Sequence, residues 1–533
     1  MISHQMKDAS NTPTQAWGHT LLLACAFLVT PWVTGAEPEA TDPAAMHVLP
    51  GFNVELLYSV PRDQQGSWVS MCHDDKGRLI VSDQDGGLYR ITPPALGSKD
   101  PTRVESIDLD IGHAQGLVYA WGHLYAVTNS KAHKGRGLYR VKDTDGDDRF
   151  DEVTLLKKFP EEGGEHGPHA VIVGPDQASL YVIVGNQTTL VDHQKTRPTP
   201  VWGEDLLLPR IYGNGFMRGT LAPRGWIAKT DPEGATWEII ATGFRNEYDA
   251  AFNRHGELFT YDADMEWDVN TPWYRPTRVC MVPSGAEFGW RNGSGKWPDY
   301  YPDSLPPVVD IGPGSPTGVC FGYGAKFPEK YQNAFYINDW SYGKLYAVHL
   351  RPDGAAYSAH VEEFITGSPL PLTDMVINPK DGAMYFAIGG RRTKSALYRV
   401  TYEGRESTVP APLMTGSEDQ RAIRRHLESF HGRQDPQALP TALPYLGHTD
   451  RYLRFAARIA LEHQPAASWQ ELVFSETNLQ SRLTGLLALT RVGSPELKPR
   501  LLEALNALSW NTLSREQQLD YLRVYSLTFI RMG

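Results

Sequence analysis

At 533 residues the chain exceeds what one ordinary hydrophobic core supports, so several folding units, or one large repeat architecture with an appendage, are expected. Its 49 Gly and 39 Pro, with 41% hydrophobic and 21% charged residues, describe a globular chain full of tight turns, which favours strands over long helices. The formal charge of −11, with no Lys/Arg run interleaved with aromatics, argues against nucleic acid as a partner.

The N-terminus places Lys7 and His19 ahead of the apolar run Leu21 to Val29, followed by Thr34-Gly35-Ala36 and an acidic segment. That order of parts predicts a secretory signal over residues 1–36, cleaved after Ala36, and an exported chain in the periplasm or at the cell surface. The apolar run is short for a bilayer span. Cys25 leaves with the signal, so Cys72, Cys280 and Cys320 remain. One pair can form among them, Cys280 with Cys320 for example, but spacing does not fix it. No Cys-x-x-Cys-His occurs, so this chain carries no c-type haem of its own.

From residue 45 to 405 a short motif recurs at the ends of β-patterned stretches: Leu88-Tyr89-Arg90-Ile91, Leu138-Tyr139-Arg140-Val141, Leu345-Tyr346-Ala347-Val348 and Leu397-Tyr398-Arg399-Val400. Turns such as Asp75-Lys76-Gly77, Gly174-Pro175-Asp176, His255-Gly256 and Asp381-Gly382 precede alternating strands and read as hairpins. Their period predicts a mainly β fold, a six-bladed β-propeller, with blades beginning near Pro50, Thr102, Gly163, Gly243, Pro316 and Pro371. The strand Phe52 to Leu57 is expected to complete the last blade and close the ring. After a linker over 406–416 the pattern changes to helices in 417–533: Arg421 to Phe430, Thr449 to His463, Leu479 to Val492, Pro495 to Leu508 and Ser514 to Phe529. The stripe Tyr452 to Leu461 suits HEAT-like α-helical repeats, with a plain helical bundle as the alternative. The chain stops inside the apolar stretch Phe529 to Gly533, where a capping helix would be expected, so the repeat region is read as cut short.

Chemistry concentrates in the middle blades. His166 and His169 stand at the entry to the third blade, where an imidazole can take a proton from a bound alcohol near neutral pH. A loop-tying role is the alternative for either histidine. Arg245, followed by Asn246, opens the fourth blade and can fork onto a carboxylate or quinone oxygen. Asp262, Asp264, Glu266 and Asp268 follow at alternate positions, a set of hard oxygen ligands suited to Ca²⁺, or a solvated acidic loop. Asp143, Asp145 and Asp147 resemble the first half of an EF-hand loop between strands, read as a structural calcium clip or a polar turn.

On these residues blades three and four resemble the soluble quinoprotein glucose and sorbosone dehydrogenases, propellers that use pyrroloquinoline quinone (PQQ) with Ca²⁺. The resemblance implies His166 as general base, Arg245 and Asn246 on the cofactor, and calcium at the loop from Asp262 to Glu266. The whole chain further resembles a group of exported bacterial proteins described as membrane-bound dehydrogenases, which join this propeller to HEAT-type repeats and often to a cytochrome c domain. Tyr261 to Asp268, Pro272 to Arg278, Glu287 to Arg291, Gly312 to Gly318 and Gly389-Gly390-Arg391-Arg392 carry that likeness. Where the characterised enzymes hold the quinone with a Lys in blade five and Arg residues at blade six, this chain reads Asn338 to Gly343 and Pro369 to Asp374. Arg245, Arg275, Arg278, Lys344, Arg391 and Arg392 could supply the charge instead, with Arg391 and His169 placed on the cofactor, or the funnel binds something else. The expectation is an exported oxidoreductase acting on a small-molecule sugar or other alcohol, with a cytochrome c as a candidate electron acceptor. The alternatives are a non-catalytic carbohydrate-binding or scaffold propeller, and the substrate module of a cytochrome c-linked complex. Aromatics between Trp290 and Tyr301 would suit sugar stacking. Nothing in the sequence bears on oligomeric state.

Overall fold

Six sheets, built mainly from successive antiparallel hairpins, follow in chain order. The structure, a computed structural model, describes residues 40–160, 163–207, 217–266, 271–292 and 295–533. Residues 1–36, read above as a secretory signal, and Asp268 of the acidic run lie outside the described residues. Blade one comprises Trp68–His73, Leu79–Asp83, Leu88–Thr92 and Arg103–Ile107, and blade two Ala114–Ala120, His123–Thr128, Gly137–Lys142 and Glu152–Lys158. Blade three is built on Pro168–Val173, Leu180–Val184, Trp226–Thr230 and Trp237–Thr242, with Lys195–Thr196 added in parallel to the last of these. Blade four contains Ala250–Phe252, Leu258–Asp262, Thr277–Met281 and Val309–Gly312. Blade five contains Pro316–Phe321, Phe335–Asp339, Lys344–Asp353 and Ala356–Thr366, edged by His47–Val48.

Blade six takes Leu372–Ile377, Met384–Ile388 and Ala396–Tyr402 from one end of the chain and Phe52–Ser59 from the other, in register from Phe52 opposite Tyr402 to Ser59 opposite Ala396. The expected closure of the ring therefore exists. It also moves the first blade's start from Pro50 to Trp68, and makes Arg103–Ile107 the outer strand of blade one rather than the opening of blade two. The recurring Leu-Tyr motif marks the third strand in blades one, two, five and six, and its leucines, Leu88, Leu138, Leu345 and Leu397, are wholly buried between neighbouring blades. That is why it recurs: each third strand offers the same apolar face to the next sheet. Cys72, Cys280 and Cys320 are all free thiols.

The helical region contains Glu418–Glu428, Arg451–Glu462, Leu479–Val492, Lys498–Asn506 and Arg515–Arg531, as the apolar periodicity predicts. Ala438–Ala442 and Gln470–Ser475 are too short for that periodicity to show. Its core is built from Leu427, Leu453, Trp469, Leu483, Leu487, Leu501 and Val524. This region packs on blade four through two buried ion pairs, Arg424 with Glu257 and Arg523 with Asp303 at 2.7 Å, and a half-exposed one, Arg425 with Glu257 at 2.7 Å. Among the described residues no helix is long and apolar enough to cross a membrane.

Candidate functional site

The loops that enter the inner strands surround a cavity of about 1350 Å³ at one mouth of the propeller's axis. His166, His169, Arg245, Asn246, Asp264, Glu266 and Arg391 all line it, so sequence positions spread over more than 200 residues meet in one funnel. Asp262, Asp143, Asp145 and Asp147 do not.

His166 sits two residues before the inner strand of blade three and is 7% exposed. Its Nδ1 lies 2.9 Å from Asn186 Oδ1. With the amide oxygen accepting, the ring proton resides on Nδ1 and the lone pair on Nε2. Burial, and then the charge of Arg245, hold the imidazole neutral well below the usual histidine range. His169 turns its Nε2 to Asn246 Oδ1 at 2.7 Å and stacks on Tyr248 with ring centroids 4.4 Å apart. Burial lowers its pKa to about 4, and its Nδ1 is buried without a partner. His169 thus fixes the amide of Asn246 from behind. Gly185 allows this crowding, because a Cβ there would stand 2.4 Å from Asn246 Oδ1 and 2.7 Å from the His166 carbonyl oxygen.

The acidic run of blade four divides by burial. Asp262 ends the second strand, is wholly buried, and spends both oxygens on protein donors. Oδ1 accepts the backbone N–H groups of Arg245 (2.9 Å) and Asn246 (3.0 Å), while Oδ2 accepts Arg278 Nε (3.1 Å) and Nη2 (3.0 Å), with Lys296 Nζ at 3.5 Å. Burial alone would raise its pKa, but Lys296 and Arg278 outweigh that and hold it below the usual carboxylate value. Both oxygens that the calcium reading of Asp262 would need thus face protein donors, and the cations beside it are side chains. Asp264 and Glu266 do reach the funnel, where both face the Arg245 guanidinium, at 3.5 and 3.1 Å. Asp262, Asp264 and Glu266 do not converge into a ligand cluster. Among the described residues the acids that do are Asp143, Asp145 and Asp147, whose oxygens lie within 4.8 Å of one another on the turn after the third strand of blade two.

Arg391 reaches the funnel from the loop after Met384–Ile388. Gly390, Arg391 and Arg392 adopt consecutive left-handed conformations (φ 78°, 48° and 59°), a costly arrangement for two arginines. The loop is held by the Arg391 N–H on Gln84 Oε1 (2.5 Å) and by Trp340 Nε1 on the Gly389 carbonyl (2.6 Å). The guanidinium lies over the Trp340 ring, 5.5 Å from its centroid, and 3.1 Å from Glu165. Blade five contributes Trp340, Ser341 and Tyr342 to the wall and blade six Thr373, where the resemblance leads one to look for Lys and Arg.

Sequence reasoning missed Asn186, Lys296 and Glu247. The last is wholly buried beside Asn246, has no hydrogen-bond partner for either carboxyl oxygen, and burial holds its pKa far above the carboxylate range. None stands in a motif, and only the fold shows what each faces. Trp290 and Trp297, read as sugar-stacking candidates, are 1% and 3% exposed and pack behind the funnel wall. Tyr300 is exposed in a separate crevice of about 200 Å³ against the helical region. The exposed aromatics at the rim are instead Tyr274 and Tyr342.

No family model matches the chain, and no curated protein does. Among solved structures, its propeller is similar to an oxidoreductase (glucose dehydrogenase) of Thermus thermophilus at 18% identity and TM-score 0.45, covering 66% of this chain and 100% of that one. It is similar to the PQQ-bound aldose sugar dehydrogenase of Streptomyces coelicolor at 14% identity and TM-score 0.43, with 66% and 100% coverage. A third is the calcium structure of a Trichoderma reesei carbohydrate-active enzyme of family AA12, at 12% identity and TM-score 0.49, with 69% and 99% coverage. At these identities the likeness is one of fold.

Proposed function

We propose that the chain is an exported oxidoreductase that oxidises a sugar or other small alcohol in the propeller funnel, with His166 as the base. One observation carries this reading: a buried imidazole, kept neutral and fixed in one tautomer by Asn186, opens onto a cavity that also holds Arg245, Asn246 and Arg391. Nε2 of that ring is the atom to take a hydroxyl proton. His169 keeps the Asn246 amide aimed, and Arg245 and Asn246 orient the acceptor. Tyr274 and Tyr342, exposed at the rim, are the aromatics available to the substrate's C–H surface.

The cations of the funnel suit a PQQ-type quinone, while its acids, Asp264 and Glu266, would have to turn from Arg245 to hold Ca²⁺. A tricarboxylate needs cations, and Arg245, Arg391 and Lys131 line the same cavity from three blades. Arg391 supplies charge where blades five and six lack the expected cations. Asp264 and Glu266 offer the hard oxygens that a calcium ion takes. A quinone bound there would supply the two-electron acceptor for the carbinol hydride. The long helices pack each on the next but one, Glu418–Glu428 on Arg451–Glu462, then Leu479–Val492, then Arg515–Arg531, which supports HEAT-like stacking. A cytochrome c as electron acceptor is part of the same proposal.

The test is to purify the full chain without the leader, add PQQ and Ca²⁺, and follow dye reduction with a panel of sugars and alcohols. Substrate-dependent reduction is expected. Sugar binding with no reduction, and no quinone uptake by absorbance, would establish the non-catalytic propeller instead. Calcium is also expected at the clip. Ca²⁺ in excess should raise the melting temperature relative to chelator, and Asp145→Asn should remove most of that difference. An unchanged melting curve would mark the acids as an ordinary polar turn.

A further inference from the structure

The segment Ala263 to Glu266 reaches the funnel, but what holds it lies behind. Lys296 Nζ donates to the carbonyls of Ala263 (2.6 Å) and Pro276 (3.3 Å), and Trp290 Nε1 points at Met265 Sδ from 3.3 Å. Both side chains belong to one short hairpin, closed by the bridge between Trp290 and Lys296 and by the Trp297 N–H on the Gly289 carbonyl (2.8 Å). The same hairpin grips the other wall, since the Trp290 N–H donates to the carbonyl of Gly243 (2.8 Å), two residues before Arg245.

The hairpin's far face meets the last helix. Trp297, 3% exposed, lies between two guanidiniums, Arg291 at 4.0 Å and Arg523 at 4.7 Å from its ring centroid. Arg523 comes from Arg515–Arg531 and is 2% exposed. It forks onto Asp303 (2.9 and 2.7 Å), donates to the Asp205 carbonyl (2.7 Å), and covers Tyr301 at 3.9 Å. A desolvated cation–π contact combined with a bidentate carboxylate pair fixes both planes, which a lysine cannot reproduce.

We propose that Arg523 is a positioning residue: clamped on Trp297 and Asp303, it fixes the hairpin and through it the Ala263 to Glu266 segment and Arg245. The helical region would then hold part of the site in place rather than merely follow the propeller. Its relevance to ligand binding rests on the proposed funnel function. Its mechanical content does not.

Backbone amide exchange on the full chain tests it. The Met265 and Arg275 amides bond each other's carbonyls (2.9 and 2.7 Å) and so report the segment. Arg523→Met should speed their exchange about tenfold or more, with the inner strands of blades one and six unchanged. Arg523→Lys, keeping charge without the fork, should recover only part of the protection. Arg425→Met, which removes another ion pair between helical region and propeller, should leave both amides as in the wild type. Unchanged amides in Arg523→Met, equal loosening in Arg425→Met, or loosening that spreads to blade one would each overturn the proposal. Should Arg523→Met fail to fold, Trp297→Phe serves: it keeps an apolar ring and weakens the clamp, and unchanged amides there refute the idea. Absence of dehydrogenase turnover would sink the functional reading and leave this result standing.

Discussion

Replacing His166 with alanine is expected to lower the rate of alcohol oxidation by about 10²- to 10⁴-fold, the range spanned by loss of a positioned general base. Quinone uptake, followed by absorbance, should be largely retained, because Arg245, Arg391 and Lys131 supply the cations and His166 does not. The pH profile gives the stricter check. The base acts in its neutral form, and burial with the Arg245 charge keeps that form present well below the ordinary histidine pKa. The acid limb of kcat/KM should therefore fall well below pH 6.5, with no loss between pH 8 and pH 6.5. Arg245→Met removes the largest charge that depresses the imidazole, so the remaining activity should show its acid limb moved upward in pH. A wild-type limb at or above pH 6.5 would mean that another group takes the proton.

The ring of six blades was legible because each third strand needs the same buried leucine, and because the hairpin glycines Gly77, Gly256 and Gly382 all take the left-handed conformation their turns require. The boundaries of blade one were not. A strand's alternation does not say which sheet it joins, and Arg103–Ile107 pairs backward onto blade one. In the site, His166, Arg245 and Asn246 stood out because they flank recognisable turns. Arg391 was visible only as a glycine-arginine run, since its approach to Glu165 and Trp340 joins blades far apart in sequence. Asn186 carries no motif, and its value lies wholly in the 2.9 Å contact with His166. The aromatics near Trp297 misled for a related reason: a surface for sugar and a surface for a helix have the same composition, and only the seat of Arg523 tells them apart.

The acidic run of blade four shows most clearly what periodicity leaves open. Alternation says that carboxylates on one strand face need neutralising, but the strand ends at Asp262, and Arg278 and Lys296, which neutralise that residue, come from the next strand and from the hairpin beyond it. Asp262→Ala should thus destabilise the protein by about 3–5 kcal/mol, because it strands a guanidinium and an ammonium in a buried site. It also releases the Arg245 and Asn246 amides at the funnel wall. The two cations are not equivalent. Lys296 has its pKa lowered to about 8 by burial and by Arg278, so it can shed its proton, whereas Arg278 cannot. Adding Lys296→Met to Asp262→Ala should then recover part of the loss, a coupling that a double-mutant cycle in urea would measure. The pH dependence has a definite sign. The folded-state pKa of Asp262 is depressed, so its contribution is complete at neutral pH and disappears only as pH falls below the ordinary carboxylate range. Calcium decides between the two roles. A structural Asp262 gives the same loss of stability in chelator as in Ca²⁺, while a metal ligand would show the loss only when the ion is there to be lost.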